Sequence, residues 1–392
     1  MKFRVERDAL AEAVAWTART LPARPPVPVL AGMLLEADQA DGGRLTLSGF
    51  DYEVSAQVAV DVDVAEPGKV LVSGRLLAEI TKSLPNRPVE LSTDGARVAV
   101  VCGTARFGLL TLPVEDYPAL PEMPTTSGTV PSDAFASAVT QVAVAAGRDD
   151  TLPVLTGVRL EIAGDTLTFA ATDRYRLAVR EIGWQPETPG LEASALVPAR
   201  TLADTAKALT SGGKVTLALS SGEIGEGMIG FEAGGRRTTT RLIDGDFPQY
   251  RSLLPSESAT VARIDTAAFV EALRRVSLVA DRNAAVRLGF GDGQVLLEAG
   301  SGDEAQAAES VECGIEGDDV KIAFNPGYLL DGLGVLDAPT ALLSFTTPKK
   351  PVVVTPADQD GKATVDYKYL LMPMRLPDQG AAEAAVPRES HG

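Results

Sequence analysis

The clearest signal along the chain is one nine-residue pattern of apolar and polar positions that occurs twice. PVLAGMLLE at 28–36 returns as PVLTGVRLE at 153–161, with a weaker echo, AAVRLGF, at 284–290. Upstream of each lies a stretch with helical periodicity, DALAEAVAWTARTL from Asp8, SDAFASAVTQVAVAAG from Ser132 and DTAAFVEALRRVSLVA from Asp265. Each opens on Asp or Ser-Asp, which predicts an N-cap there. A second helical pattern also recurs, as VSGRLLAEITKSLP (72–85), VPARTLADTAKALT (197–210) and AFNPGYLLDGLGVLD (323–337). Each module ends on a strand with a proline-marked exit: FGLLTLPVEDYPALP (107–121), TTTRLIDGDFPQYRSLLP (238–255) and YKYLLMPMRLP (367–377). The period of roughly 120–130 residues is too long for a solenoid repeat, so the chain reads as three copies of a whole domain.

Within the first copy the alternating segments predict the order in detail. KFRVER is a strand, the Asp8 helix follows, and PVLAGMLLEA, RLTLSGFD and YEVSAQVAV alternate as strands. KVLVSG, the Arg75 helix, PVELST, RVAVVCG and ARFGLLTLP then repeat that order. One domain is thus two βαβββ units, an α+β arrangement with sheets on one side and helices on the other. The expected domains are 1–124, 125–256 and 257–377, followed by a flexible tail at 378–392.

Composition narrows the function. The 392 residues carry 36 basic and 53 acidic side chains, a net charge of −17, which excludes a globally basic nucleic-acid binder but not local basic patches. The bases are segregated: Arg19, Arg24, Arg75, Lys82, Arg148, Arg200, Lys207, Lys214, Arg274, Arg275 and Arg282 fall in or just after helical segments. The acids gather in strands and turns such as DQADGG and VEDY. Cys102 and Cys313 form no CxxC pair, which points to a reducing compartment and away from zinc. MKFRVERDAL has no apolar signal core, and no run nears the roughly 18 residues of a membrane span, so the expected location is cytoplasmic, with no membrane partner.

Catalytic chemistry is hard to build here. The single histidine, His391, rules out a Ser-His-Asp or Cys-His arrangement. GEGMIG at 225–230 matches GxGxxG but runs into a strand pattern, whereas a dinucleotide fingerprint opens a helix, so it reads as a hairpin turn. Glu115–Asp116, Asp149–Asp150 and Asp244-Gly-Asp246 stand at turn signals and read as solvated turns. No cofactor, metal or catalytic residue is expected. A scaffold binding a polymer other than DNA would want aromatic platforms, and 2 Trp and 7 Tyr supply few.

The threefold repeat, TDRYRLAVRE at 172–181, DGDFPQYRSLLP at 244–255, FNPGYLLDGL at 324–333 and the closing MPMRLP resemble the bacterial DNA polymerase sliding clamp, the beta subunit of the replicative polymerase, and its actinobacterial members most. The resemblance covers residues 1 to about 377. It implies a head-to-tail homodimer whose six domains close a ring around double-stranded DNA, with the helices lining the hole. Such a ring confers processivity; its expected partners are the replicative polymerase's alpha-type subunit, the clamp loader and other proteins with a clamp-binding motif. The alternative within the same resemblance is a second-copy clamp that confers resistance to clamp-directed antibiotics. Carried over by position, Arg24, Arg75, Lys82, Arg148, Arg200, Lys207 and Arg282 would face DNA, and Ile80, Phe107, Leu109 and Leu278 would form the dimer contact. Ser277 stands where relatives often carry a bulky apolar residue. The partner-peptide pocket would be walled by Leu155, Thr172, Arg174, Tyr175, Arg176, Leu177, Pro248, Leu253, Leu370, Met372, Pro373, Met374, Arg375 and Leu376, with Asn325 and Tyr328 at its rim. Met372 and Met374 can repack around different partners, and Arg176 and Arg375 can meet a peptide's carbonyls or acidic groups. Ser252 stands where some relatives have arginine.

Overall fold

A computed structural model describes residues 1–210, 213–220, 227–280, 284–300 and 305–375. Arg282, Leu376, His391, the start of GEGMIG and the 378–392 tail lie outside the described residues. The first module opens with β1 (Lys2–Val5), α1 (Arg7–Ala18), β2 (Gly32–Asp38), β3 (Arg44–Phe50) and β4 (Val54–Asp61), plus a short β5 (Asp63–Glu66). Its second half is β6 (Gly68–Ser73), α2 (Gly74–Ser83), β7 (Val89–Asp94), β8 (Arg97–Cys102) and β9 (Ala105–Leu112). The second module begins β10 (Thr126–Pro131), α3 (Ser132–Ala143), β11 (Gly157–Ala163), β12 (Thr166–Thr172) and β13 (Arg176–Gly183), plus a two-residue β14 (Gln185–Pro186). It continues β15 (Glu192–Pro198), α4 (Ala199–Ala208), β16 (Lys214–Leu219), β17 (Met228–Ala233) and β18 (Arg236–Arg241). The third begins β19 (Thr260–Asp265), α5 (Thr266–Val276), β20 (Val286–Gly291), β21 (Gln294–Ala299) and β22 (Ala307–Glu316). It closes with β23 (Val320–Phe324), α6 (Pro326–Leu333), β24 (Thr340–Phe345), β25 (Val352–Ala357) and β26 (Tyr367–Leu371). The predicted order, βαβββ twice per module, is therefore the observed one, with β5 and β14 as additions.

Local differences have physical causes. The PVLA and PVLT ends of the repeated nonapeptide are 3₁₀ turns, because Pro28 and Pro153 favour a helical first turn, and the strands start only at Gly32 and Gly157. Those glycines allow close packing: a Cβ at Gly32 would meet Leu71 at 2.7 Å, and one at Gly157 would meet Leu196 at 2.7 Å. Asp8 is not an N-cap, since α1 starts at Arg7 and Glu6 precedes it without a side-chain bond. Asp265 does cap α5, accepting from the Ala268 N–H at 2.8 Å. Lys214, expected beside a helix, opens β16 instead and donates from Nζ to Gln185 Oε1 at 3.0 Å.

The described residues cluster into two compact units. One comprises Met1–Thr140, Asp149–Phe169 and Ile182–Phe247; the other comprises Gln141–Arg148, Ala170–Glu181 and the chain from Pro248 onward. The first two modules share a unit because β18 pairs antiparallel with β4, Thr239 opposite Ser55, which makes one 14-stranded sheet of β1–β10, β14 and β16–β18. In the second unit β26 pairs with β13 in the same way, Leu370 opposite Leu177, and β25, β24, β19, β22, β21, β20 and β23 continue that sheet. Each module has its own core. Leu10, Val14, Leu35, Leu77 and Val100 belong to the first, Phe135 meets Phe169 and Phe231 in the second, and Phe290 meets Phe345 in the third.

Buried phenols give the fold an alkaline limit. Burial pushes Tyr117 up to about 12, and it also raises Tyr367 and Tyr369 above the ordinary tyrosine value of 10.0. The unfolded chain loses these protons near pH 10 and the folded chain only above it. Their contribution is thus intact below pH 10 and lost as pH rises toward 12. Thermal unfolding should show Tm falling over that window, with a shallower fall in Tyr367→Phe; an unchanged slope would contradict this.

Candidate functional site

The second unit builds a surface around the turn that leads into β13. Asp173 Oδ1 accepts the backbone N–H groups of Tyr175 and Arg176, both at 3.1 Å, and Arg174 takes a left-handed φ of 80°. Thr172 Oγ1 donates to the Arg176 carbonyl at 2.6 Å and locks the turn's base. The chain leaving β26 is then tied down twice. Met372 N–H donates to the Tyr175 carbonyl at 2.8 Å, and Met374 N–H to the Ala323 carbonyl at 2.7 Å. Met372–Arg375 is therefore a fixed, extended lip rather than a loose end.

Arg176 differs from its expected role. Its side chain is buried, with Nε donating to Asp173 Oδ2 at 2.9 Å and an η nitrogen to Asp331 Oδ2 at 2.6 Å. Its guanidinium also lies 4.4 Å from the Tyr328 ring centroid. Burial alone would lower its pKa, but Tyr369, Asp331 and Asp173 outweigh that and hold it above the usual arginine value. Arg176 thus braces the turn, and the exposed guanidiniums at this surface are those of Arg174 and Arg375. Asn325 Oδ1 is taken up as the cap of α6, accepting from Tyr328 N–H at 3.2 Å. Tyr328 stacks on the exposed Tyr175 ring, centroids 6.0 Å apart, and its carbonyl accepts from Tyr369 OH at 2.7 Å.

Among the other expected walls, Leu253 and Met372 are 51 % and 40 % exposed, Pro248 is exposed, and Pro373 and Met374 are half-buried. Leu177 and Leu370 form a buried cross-strand pair beneath, at 1 % and 3 % exposure, so they are floor rather than wall. Leu155 is half-buried in a 3₁₀ turn of the first unit. Asp331 and Asp173 escaped the sequence reading. Asp331 stands three residues after Tyr328 on α6, a spacing that puts both on one helix face.

Six of the seven basic residues expected to face DNA lie among the described residues and are solvent-facing. Arg24, Arg75, Lys82, Arg200 and Lys207 of the first unit and Arg148 of the second are all exposed, and none forms an ion pair with a described residue. Arg75 and Arg200 sit in the first turns of α2 and α4 and line a groove of about 530 Å³ with Arg19, Trp16 and Asp204. Arg275 is instead neutralised by Glu271 and Glu309.

At the expected dimer contact two residues face elsewhere. Ile80 and Leu109, at 8 % and 2 % exposure, belong to the first module's core. Phe107 is 37 % exposed, and its neighbour Leu110, which the sequence reading passed over, is 64 % exposed. Leu278 is 84 % exposed in the turn after α5, while Ser277 Oγ is engaged by the Leu273 carbonyl at 2.5 Å. β9 pairs with β8 along Ala105–Leu110, and no described strand lies on its other edge there. β22 likewise pairs with β21 along Ala307–Glu312 and with β19 only at Cys313–Glu316. Among the described residues no cluster of His, Cys, Asp or Glu could hold a metal, and no helix is long and apolar enough to cross a membrane.

Comparison with known proteins agrees with this architecture. Residues 1–121, 129–249 and 251–375 match the N-terminal, central and C-terminal domains of the DNA polymerase III beta subunit. The chain is 65% identical to the beta sliding clamp of Streptomyces coelicolor over 96% of its own length and 100% of that protein's. It is 47% identical, with the same coverage, to the beta sliding clamp homolog GriR of Streptomyces muensis. A crystal structure of a sliding clamp from Pseudomonas aeruginosa bound to griselimycin superposes with a TM-score of 0.87 at 30% identity, covering 96% of this chain and 100% of that one. Three tandem α+β domains joined strand to strand make this a DNA-clamp fold. The chain belongs to the DNA polymerase III beta subunit family, the bacterial sliding clamps, which serve replication as non-catalytic processivity subunits of the polymerase.

Proposed function

We propose that two copies close head to tail into a six-domain ring that encircles duplex DNA in the cytoplasm and tethers the replicative polymerase, with the clamp loader and other motif-bearing proteins sharing the same pocket. The observation that carries this reading is a junction left open. A module's last strand pairs with the fourth main strand of the module before it at β18–β4 and again at β26–β13. Among the described residues the remaining pair, β9 and β22, has a free edge on each strand, and a second copy would supply the match. Repeating the β18–β4 register would set Phe107 opposite Ala307 of the second copy and Arg106 opposite its Ala308. Light scattering should give twice the 40.9 kDa chain mass at micromolar protein, and a monomer there would count against the ring.

Inside such a ring, Arg24, Arg75, Lys82, Arg148, Arg200, Lys207 and Arg282 would meet phosphates without base contacts, so binding would be sequence-independent. The net charge of −17 keeps intrinsic affinity for DNA low and leaves retention to topology. For the partner pocket we assign the Tyr175–Tyr328 stack, Leu253 and the Met372–Arg375 lip, at the end of the domain divisions 1–124, 125–256 and 257–377. The anchored lip and braced turn support the reading because a preformed groove lowers the ordering cost of binding a flexible peptide. Met374→Ala should weaken binding of a Gln-x-x-Leu-Phe-type peptide by about 1–3 kcal/mol in calorimetry; unchanged affinity would move the site elsewhere. The second-copy resistance reading has less support, since identity to GriR, at 47%, is well below the 65% shared with the Streptomyces coelicolor clamp.

A further inference from the structure

The groove-forming framework of the second junction is built a second time at the first junction, with different chemistry at its floor. Asp51 N–H donates to the Val54 carbonyl at 3.2 Å, as Asp173 N–H does to Arg176 at 3.3 Å. Tyr52 takes a left-handed φ of 77°, matching Arg174 at 80°. Asp51 Oδ1 accepts the Glu53 and Val54 N–H groups at 2.9 and 2.7 Å, the same turn that Asp173 makes. The exits correspond as well. Arg241 N–H donates to Glu53 at 3.0 Å and Ile243 N–H to Leu196 at 2.8 Å, in the places of Met372 to Tyr175 and Met374 to Ala323.

The lip changes, with Glu53, Arg241 and Ile243 in the places of Tyr175, Met372 and Met374, and so does the cross-strand pair beneath. Where the second junction has Leu177 opposite Leu370, the first has Ser55 opposite Thr239. Their hydroxyls are hydrogen-bonded at 2.6 Å, and both residues are buried. Ser55 lines a cavity of about 350 Å³ together with Gln57, Leu120, Met123 and Arg237. The space is present at the first junction, but its floor is polar. An apolar side chain set down there would cover the bonded Ser55–Thr239 hydroxyls and the Gln57 amide, which donates to Ser48 Oγ at 3.3 Å, without meeting their remaining hydrogen-bonding capacity, a penalty the leucine floor does not impose.

We propose that Ser55 and Thr239 are a specificity-determining pair that keeps apolar partner peptides off the first junction, so that each chain offers one peptide site although its fold builds the framework for two. The proposal rests on the reading of the second junction as the partner-peptide site.

The test is calorimetry on the full chain with the Gln-x-x-Leu-Phe-type peptide. The unaltered chain should bind one peptide per chain, and Ser55→Leu/Thr239→Leu should bind two. A second variant removes the hydroxyls at nearly constant volume, in case the leucines disturb folding. In a Met374→Ala background, Ser55→Ala/Thr239→Val should tighten peptide binding at least tenfold relative to Met374→Ala alone. Circular dichroism and Tm verify that each variant is folded. A folded variant that keeps one site per chain and shows no gain over Met374→Ala overturns the proposal. Failure of the unaltered chain to bind any peptide refutes instead the second-junction reading beneath it.

Discussion

Leu278→Asp is expected to convert the dimer into monomers at concentrations where the unaltered chain shows dimer alone. Leu278 is 84 % exposed within one chain, so the substitution leaves the monomer's core untouched. In a closed ring the same carboxylate would be buried without a partner, a penalty of about 3–5 kcal/mol per junction. That corresponds to a roughly hundredfold to several-thousandfold weaker contact. The ring has two such junctions, and both carry the change. Phe107→Asp should act in the same direction from the opposite strand. Sedimentation velocity across a dilution series reads the shift directly. Tm of the monomer should stay near that of the unaltered chain, which separates loss of assembly from loss of fold. A Leu278→Asp chain that remains dimeric would mean that β9 and β22 do not meet.

Much of this architecture could be read from the chain because it is written three times. The proline-bounded nonapeptide and the recurring helical patterns set domain count and element order, and each helix started within a few residues of its predicted position. Side-chain direction was less legible. Leu109 sits in an apolar run, FGLL, whose near-continuous hydrophobicity hides which residues turn inward, and the structure buries Leu109 while exposing Phe107 and Leu110. Ile80 lies on α2's apolar face and is spent on the module's own core. Long-range partners were illegible for a different reason. Arg176 meets Asp331 from 155 residues away, and Ser55 meets Thr239 from 184, separations at which no periodicity operates. Residues that carry a resemblance in TDRYRLAVRE proved to include both a structural brace, Arg176, and an exposed ring, Tyr175. Spacing alone does not distinguish the two.

Retention on DNA is where a ring and an open binder differ in kind. An open binder with six phosphate contacts would lose about a thousandfold in affinity between low and moderate salt, because each contact releases counterions. A chain of net charge −17 has little intrinsic affinity to lose. Neutralising Arg24, Arg75, Lys82, Arg148, Arg200 and Lys207 should therefore slow loading and shorten synthesis while leaving retention on circles largely intact. The most direct measurement loads the protein onto nicked circular duplex with a clamp-loading ATPase, washes in salt, and runs gel filtration before and after the circle is cut. The ring account predicts that protein stays with the circle through the wash and leaves within minutes of linearisation. Protein that leaves the intact circle in salt, or stays equally well on the linear product, would contradict it.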